Sequence, residues 1–220
     1  MTTAVVITGG DPVPNVALSG LLPVDFVVAA DSGLDHALRL ELTPDLVVGD
    51  FDSVSESAMS RFQGPVERHP VAKDATDLEL ALRKAVERRP DRIVVLGGHG
   101  GRLDHFLANA LVLITVPDSI AVEWRAGPAI IHVVRHAVDL KGRIGDMVSL
   151  VPVGGDAVGV RTEGLRWPLA DATLASGSTL GVSNTFAATE ARVEVSEGTL
   201  LVIIPGGTDR RPTPADEPED

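Results

Sequence analysis

Four short apolar runs punctuate the first half of the chain: Ala4–Thr8, Phe26–Ala30, Asp45–Gly49 and Arg92–Leu96, each closing on glycine or aspartate. Runs of this length without polar alternation predict strands buried on both faces. Between them, Leu34–Leu42 and Leu78–Arg88 carry apolar residues at helical spacing. In the second, Leu78, Ala81, Leu82, Ala85 and Val86 make one face, and Leu103–Ile114 is a third helical segment. Strand–helix alternation predicts a mostly parallel sheet with helices on its faces. After about residue 118 the pattern changes to valine-rich stretches between Gly-rich turns, among them Met147–Val151, Arg192–Ser196 and Leu200–Ile204, with no convincing amphipathic helix. The expected fold is therefore α/β, with an N-terminal, mostly parallel α/β sheet domain over 1–125. A smaller antiparallel β, sandwich-like domain follows over 126–208, its boundary within 118–145. The Pro- and acid-rich 209–220 is expected to be a disordered tail.

Composition narrows the classes of function. The 220 residues carry 31 acids against 19 bases, a net charge of −12, which argues against coating nucleic acid or an anionic membrane. Two tryptophans and no tyrosine leave no stacking platform for nucleic acid. Without cysteine, disulfides, thiolate metal sites and cysteine nucleophiles are excluded together. No segment reads as a membrane span or a signal peptide, so a cytoplasmic protein is expected.

The candidate chemistry lies where the predicted strands end, which in an α/β sheet is where ligands bind. In Pro44-Asp-Leu-Val-Val-Gly-Asp-Phe-Asp-Ser53, Asp50 and Asp52 sit at i and i+2. Extended backbone would point both to one side, where they can share a hard cation. Ser53 and Glu56 form a capping-box pattern that would stiffen the loop. A solvated Asp-rich turn reads as well from the spacing alone. Lys73-Asp-Ala-Thr-Asp-Leu-Glu79 carries a second box, Thr76 with Glu79, which places Asp77 in the first turn of a helix. Gly97-Gly-His-Gly-Gly-Arg-Leu-Asp-His105 is a glycine-rich turn before a helix, suited to phosphate but matching neither a P-loop nor a dinucleotide fingerprint. Asp31 ends the second strand at the same edge. One such strand end is easily coincidence; four together indicate a Mg²⁺–polyphosphate site, with carboxylates on the metal and Lys73 and Arg102 on phosphate. His132 and His136, in strand and turn, do not read as a shared metal pair. Trp167 reads as core or as a surface for a flat ring.

Taken in order, Ala30-Asp-Ser-Gly33, Gly49-Asp-Phe-Asp-Ser53, Lys73-Asp-Ala-Thr-Asp77, Gly100-Gly-Arg-Leu-Asp-His105, Gly145-Asp-Met-Val-Ser149, Gly164-Leu-Arg-Trp-Pro-Leu169 and Gly181-Val-Ser-Asn184 resemble the thiamine pyrophosphokinase family. The resemblance implies an N-terminal ATP-binding domain, a β domain that helps bind thiamine, and a homodimer with thiamine at the subunit interface. It implies Asp50, Asp52 and Asp77 as Mg²⁺ and catalytic carboxylates. Asp31, Lys73, Asp74, Arg102 and Asp104 fall on the ATP side, and Trp167, Ser183 and Asn184 on the thiamine side. Three rivals are a pyrophosphokinase acting on a pterin alcohol, a non-catalytic thiamine sensor and a Mg²⁺-dependent nucleotide hydrolase. Retention of all three acids counts against the sensor.

Overall fold

The computed structural model describes residues 1–21 and 23–208; the expected tail, 209–220, lies outside the described residues. In chain order the elements are β1 (Thr3–Ile7), β2 (Phe26–Ala30), α1 (Gly33–Arg39), β3 (Leu46–Gly49), α2 (Glu56–Arg61), β4 (Val66–Arg68), α3 (Asp77–Glu87), β5 (Arg92–Leu96) and α4 (Leu103–Val112). Then come β6 (Ala121–Ala126), β7 (Ala129–Val134), β8 (Ala137–Lys141), β9 (Met147–Glu163), β10 (Ala172–Leu174), β11 (Asn184–Thr185), β12 (Glu190–Glu194) and β13 (Glu197–Ile204). The four apolar runs are strands at the expected places. The first helix stops at Arg39, short of Leu42, because Glu41 takes a positive φ of 58° that no continuing helix allows. The third ends at Val112 and tightens into a 3₁₀ turn over Leu113–Thr115.

One sheet runs through the molecule in the order β4-β3-β2-β1-β5-β6-β7-β13-β9-β12-β8. Pairing is parallel from β4 to β6 and antiparallel from there on. The two halves are therefore hydrogen-bonded to each other across residue 126: β7 pairs with β6 on one side and with β13 on the other. Within the parallel half, β1 has β2 and β5 as its neighbours, so the strand order reverses there. That reversal opens a crevice at the strands' carboxyl ends.

Alternation along the strands divides the core. Ala4 and Val6 of β1 pack with Val28, Ala30 and Val48 under α3, while Val5 and Ile7 face Ala37 of α1 on the opposite side. The antiparallel half has its own core, with Leu140, Leu150, Leu174, Phe186, Val193 and Leu200 all buried. Strand β9, 17 residues long, bends through this half: its first part pairs with β13 and its last part with β12. His132 lies opposite Glu123 on the β6–β7 hairpin, whereas the His136 Nε2 is 2.8 Å from Asp118, so the two imidazoles have different partners.

Removing a core side chain from either half should cost about 2–5 kcal/mol, as large-to-small core substitutions do. Because the sheet is continuous, Ile93→Ala and Leu150→Ala should each lower the melting temperature in a single cooperative transition, followed by circular dichroism. A two-step melt in Leu150→Ala would mean that the halves unfold independently.

Candidate active site

The crevice at the carboxyl ends of the parallel strands is a cleft of about 580 Å³. Its walls come from four strand ends: Thr8–Gly10 after β1, Asp31 after β2, Asp50–Ser53 after β3 and Gly98–Gly101 after β5. Lys73 and the opening residues of α3, Thr76 to Leu78, close it from the side. The two glycine-bearing loops are laced together, with Gly98 N–H donating to the Gly9 carbonyl at 2.7 Å and Asp11 N–H to the His99 carbonyl at 2.8 Å. A side chain at Gly10 would place its Cβ 2.4 Å from the His99 oxygen, in addition to a φ of 104°. Two buried groups brace the second loop from beneath: Trp124 Nε1 donates to the Gly97 carbonyl at 2.7 Å and Asn109 Nδ2 to the Gly98 carbonyl at 3.0 Å.

Asp31 follows β2 in a left-handed conformation, φ 47°, costly for most residues but tolerated by aspartate. The next residue but one is Gly33, whose missing side chain lets α1 start against β1: a Cβ there would lie 2.0 Å from the Ile7 oxygen. Asp31 is 8% exposed, and its Oδ1 has no hydrogen-bond partner. Burial pushes its carboxyl above the ordinary value, with the charges of Asp77 and Asp52 adding to the rise against a backbone bond from Ser32.

Asp50 and Asp52 do reach one side of their loop, by a route different from extended backbone. Phe51 has φ 66°, so the chain turns, and Asp52 N–H points back at Asp50 Oδ1, 3.3 Å away. Arg68 fixes this turn, donating to the Asp50 carbonyl at 3.0 Å with its guanidinium 4.6 Å over the Phe51 ring. The capping box assigned to Ser53 and Glu56 is corrected: Ser55 caps α2, accepting from Ala58 N–H at 3.1 Å and donating its hydroxyl to Asp35. Ser53 instead donates to Asp52 Oδ1 at 2.7 Å. Carboxylate oxygens of Asp31, Asp50 and Asp52 lie within 4.8 Å of one another. An oxygen-only donor set with one orphaned, buried oxygen suits a hard divalent cation.

Asp77 opens α3, capped by Thr76, whose hydroxyl accepts from Glu79 N–H at 3.2 Å. It stands outside the triad and is joined to it by Lys73, whose Nζ lies 2.5 Å from Asp50 Oδ2 and 3.1 Å from Asp77 Oδ1. Burial works against the charge on Lys73, but its hydrogen bond to Asp50 and its ion pair with Asp77 outweigh it and hold the amine above its ordinary value. The same contact lowers Asp50. Arg102 borders the cleft and forks onto Asp104 at 2.5 Å through Nη2 and 3.2 Å through Nε, bringing that carboxyl down to about 2. Asp74 and Asp104 are exposed and do not line the cleft. Residues of the cleft that the sequence reading passed over are the Thr8–Gly10 loop, His105 and Asn109; the Gly9-Gly10 pair after a strand was a usable signal for the first.

Trp167, Ser183 and Asn184 gather elsewhere, around a second pocket of about 390 Å³ between the Trp167–Leu169 turn and Leu180–Val182. Trp167 is 54% exposed and Asn184 5%. Asn184 acts as a bracket: its Oδ1 accepts from Trp167 N–H at 3.1 Å and its Nδ2 donates to the Trp167 carbonyl at 2.7 Å. The two pockets share no residue.

Comparison with known proteins finds matches in both halves of the chain. Residues 21–123 match the family described as "Thiamin pyrophosphokinase, catalytic domain", and residues 132–200 match "Thiamin pyrophosphokinase, vitamin B1 binding domain". The thiamine pyrophosphokinase of Bacillus subtilis is 29% identical over 183 residues, covering 80% of this chain and 85% of its own. The crystal structure of a Bacillus subtilis thiamine pyrophosphokinase superposes with a TM-score of 0.81 at 28% identity, over 92% of this chain and 98% of that one. That of the Geobacillus thermodenitrificans thiamin pyrophosphokinase gives 0.78 at 28% identity, over 93% and 97%.

A raised carboxyl destabilises the fold only where it is ionised, so Asp31 should weaken the metal-free protein at neutral pH and cease to do so once pH falls below its ordinary value. Asp31→Asn, which keeps the left-handed conformation accessible, should melt higher than the parent in chelator at pH 7. The difference should shrink toward zero near pH 3. A mutant that melts lower at pH 7 would contradict this assignment.

Proposed function

The chain belongs to the thiamine pyrophosphokinase family and forms thiamine diphosphate from thiamine, and we propose that it does so by moving an intact pyrophosphoryl group from Mg·ATP, releasing AMP. The observation that carries this reading is the group of three crowded carboxylates, Asp31, Asp50 and Asp52, at the foot of a cleft walled by glycine loops. ATP lies with its phosphates along Thr8–Gly10 and Gly98–Gly101, whose backbone amides and lack of side chains permit close approach. Asp50 and Asp52, with Asp31 and Asp77 beside them, would hold the Mg²⁺, whose charge would offset that of the transferring phosphates. Lys73 and Arg102 supply positive charge to the polyphosphate.

In the reaction, the hydroxyethyl oxygen of thiamine bonds to the β-phosphorus while the bond from that phosphorus to the α–β bridging oxygen breaks. The electron pair leaves with AMP, and the hydroxyl proton passes to one of the cleft carboxylates. Positioning and charge neutralisation account for most of the catalysis, since little covalent chemistry is asked of the protein. The acidic walls suit a substrate with a fixed thiazolium cation.

The thiamine side of the site is proposed to be Trp167, Ser183 and Asn184, the last by bracing the Trp167 turn. Their pocket shares no residue with the ATP cleft, which supports a complete site assembled from two chains of a homodimer. Helix α4, whose first turn borders the cleft, carries Leu103, Leu107 and Leu111 on one stripe, 70%, 56% and 53% exposed. A stripe at i, i+4, i+8 is an unpartnered apolar face suited to a second copy. Among the described residues, no helix is long and apolar enough to cross a membrane; an acidic, cysteine-free chain that consumes ATP suits the cytoplasm.

Chromatography of products after incubation with Mg·ATP and thiamine tests the reaction. AMP and thiamine diphosphate should appear together, and neither without thiamine. ADP with thiamine monophosphate would place attack on the γ-phosphorus, and AMP without thiamine would indicate a hydrolase. Leu107→Glu should convert the dimer to monomer in sedimentation velocity and lower kcat/KM for thiamine by about tenfold or more, since each fully packed apolar anchor is worth on the order of 1.4 kcal/mol. A fully active monomer would remove the shared site.

A further inference from the structure

We propose that Lys73 is a resident counter-cation, holding the carboxylates of Asp50 and Asp77 together in the free enzyme and giving them up to the metal as nucleotide arrives. This deepens the reading of the cleft as a Mg²⁺–polyphosphate site and rests on it.

Three observations carry the proposal. First, the ammonium already holds one oxygen of each carboxylate: its Nζ is 2.5 Å from Asp50 Oδ2 and 3.1 Å from Asp77 Oδ1, with the Lys73 side chain 12% exposed and that of Asp50 9%. A cation that binds Asp50 through that oxygen has to compete with the ammonium for it. Second, the neighbouring cations are committed elsewhere. Arg68 donates to the backbone carbonyl of Asp50, and Arg102 is forked onto Asp104. Of these cations, Lys73 is the one whose charged group contacts the carboxylates of Asp50 and Asp77. Third, Lys73 stands on the irregular segment between β4 and α3, in the wall of the same cleft as the glycine loops. A lysine is a compact point charge on a flexible stem that can exchange one set of oxygens for another. Leaving the carboxylates, its ammonium has phosphate oxygens within the same cavity to receive it.

Two consequences follow from competition for one oxygen. Metal binding without nucleotide is weakened by the ion pair that must be broken. Nucleotide binding relieves that competition, so metal and ATP strengthen each other's binding through a residue that touches both. A lysine that only stabilised the loop would produce neither effect.

The test is Mn²⁺ binding in the absence of turnover, read from the free-ion electron paramagnetic resonance signal. The parent protein is compared with Lys73→Met, Lys73→Gln and Asp50→Asn, each checked for folding by circular dichroism. Without nucleotide, both neutral variants should bind Mn²⁺ more tightly than the parent, by about tenfold, as when a partly buried ion pair no longer competes. With α,β-methylene-ATP added, the gain in Mn²⁺ affinity should be smaller in both variants than in the parent. Unchanged or weaker Mn²⁺ binding in Lys73→Met and Lys73→Gln, while Asp50→Asn loses it, would overturn the counter-cation role and leave the metal site standing. Parent-like binding by Asp50→Asn would overturn the metal site itself, and the proposal with it.

Discussion

Carboxylates whose oxygens lie within 4.8 Å of one another repel, and a chain left to itself would turn them apart. Here three separate devices keep them together. The left-handed turn at Asp31 follows a strand whose registry with β1 and β3 fixes its end. The turn at Phe51 is pinned by Arg68, and the far side of that loop by the Asp35–Ser55 cap. Lys73 then ties Asp50 to Asp77. Together these devices keep a charge arrangement ready for a ligand that will relieve it.

The continuous sheet explains how one chain offers two separate pockets. Reversal of strand order at β1 opens the carboxylate-lined cleft at the carboxyl edge of the parallel half. Pairing of β6 with β7, and of β7 with β13, then carries the same sheet into the antiparallel half, where the pocket beside Trp167 opens. The two pockets have no lining residue in common.

Much of this was legible in the sequence, because buried parallel strands write themselves as apolar runs and ligand-binding residues follow at their ends. The strands ending before Gly9, Asp31, Asp50 and Gly97 needed only periodicity and the punctuation after them. What stayed hidden depended on tertiary contact. Asp50 and Asp52 share a side through the positive φ of Phe51, which no spacing rule reveals. Ser53 and Ser55 both lie before an acidic helix start, and only Asp35, twenty residues back, decides for Ser55. Asn109 looks like a polar interruption in an apolar helix; its purpose, bracing the Gly98 carbonyl, belongs to a loop outside that helix. Asp74 and Asp104 carry the same charge as their neighbours, yet the fold turns both to solvent. The continuity of the sheet across residue 126 was also invisible, since a change in texture reads equally as a change of pairing or of domain.

If pyrophosphoryl transfer occurs at the crowded carboxylates, losing the charge of one of them should slow it. The most direct measurement is the single-turnover rate of thiamine diphosphate formation by Asp52→Asn at saturating Mg·ATP and thiamine, with its melting temperature recorded alongside. Asp52 is exposed, so the fold should be unaffected, and the rate should fall by about a hundredfold or more, the scale on which charge-stabilising groups act. A rate equal to that of the parent would show that the chemistry takes place elsewhere.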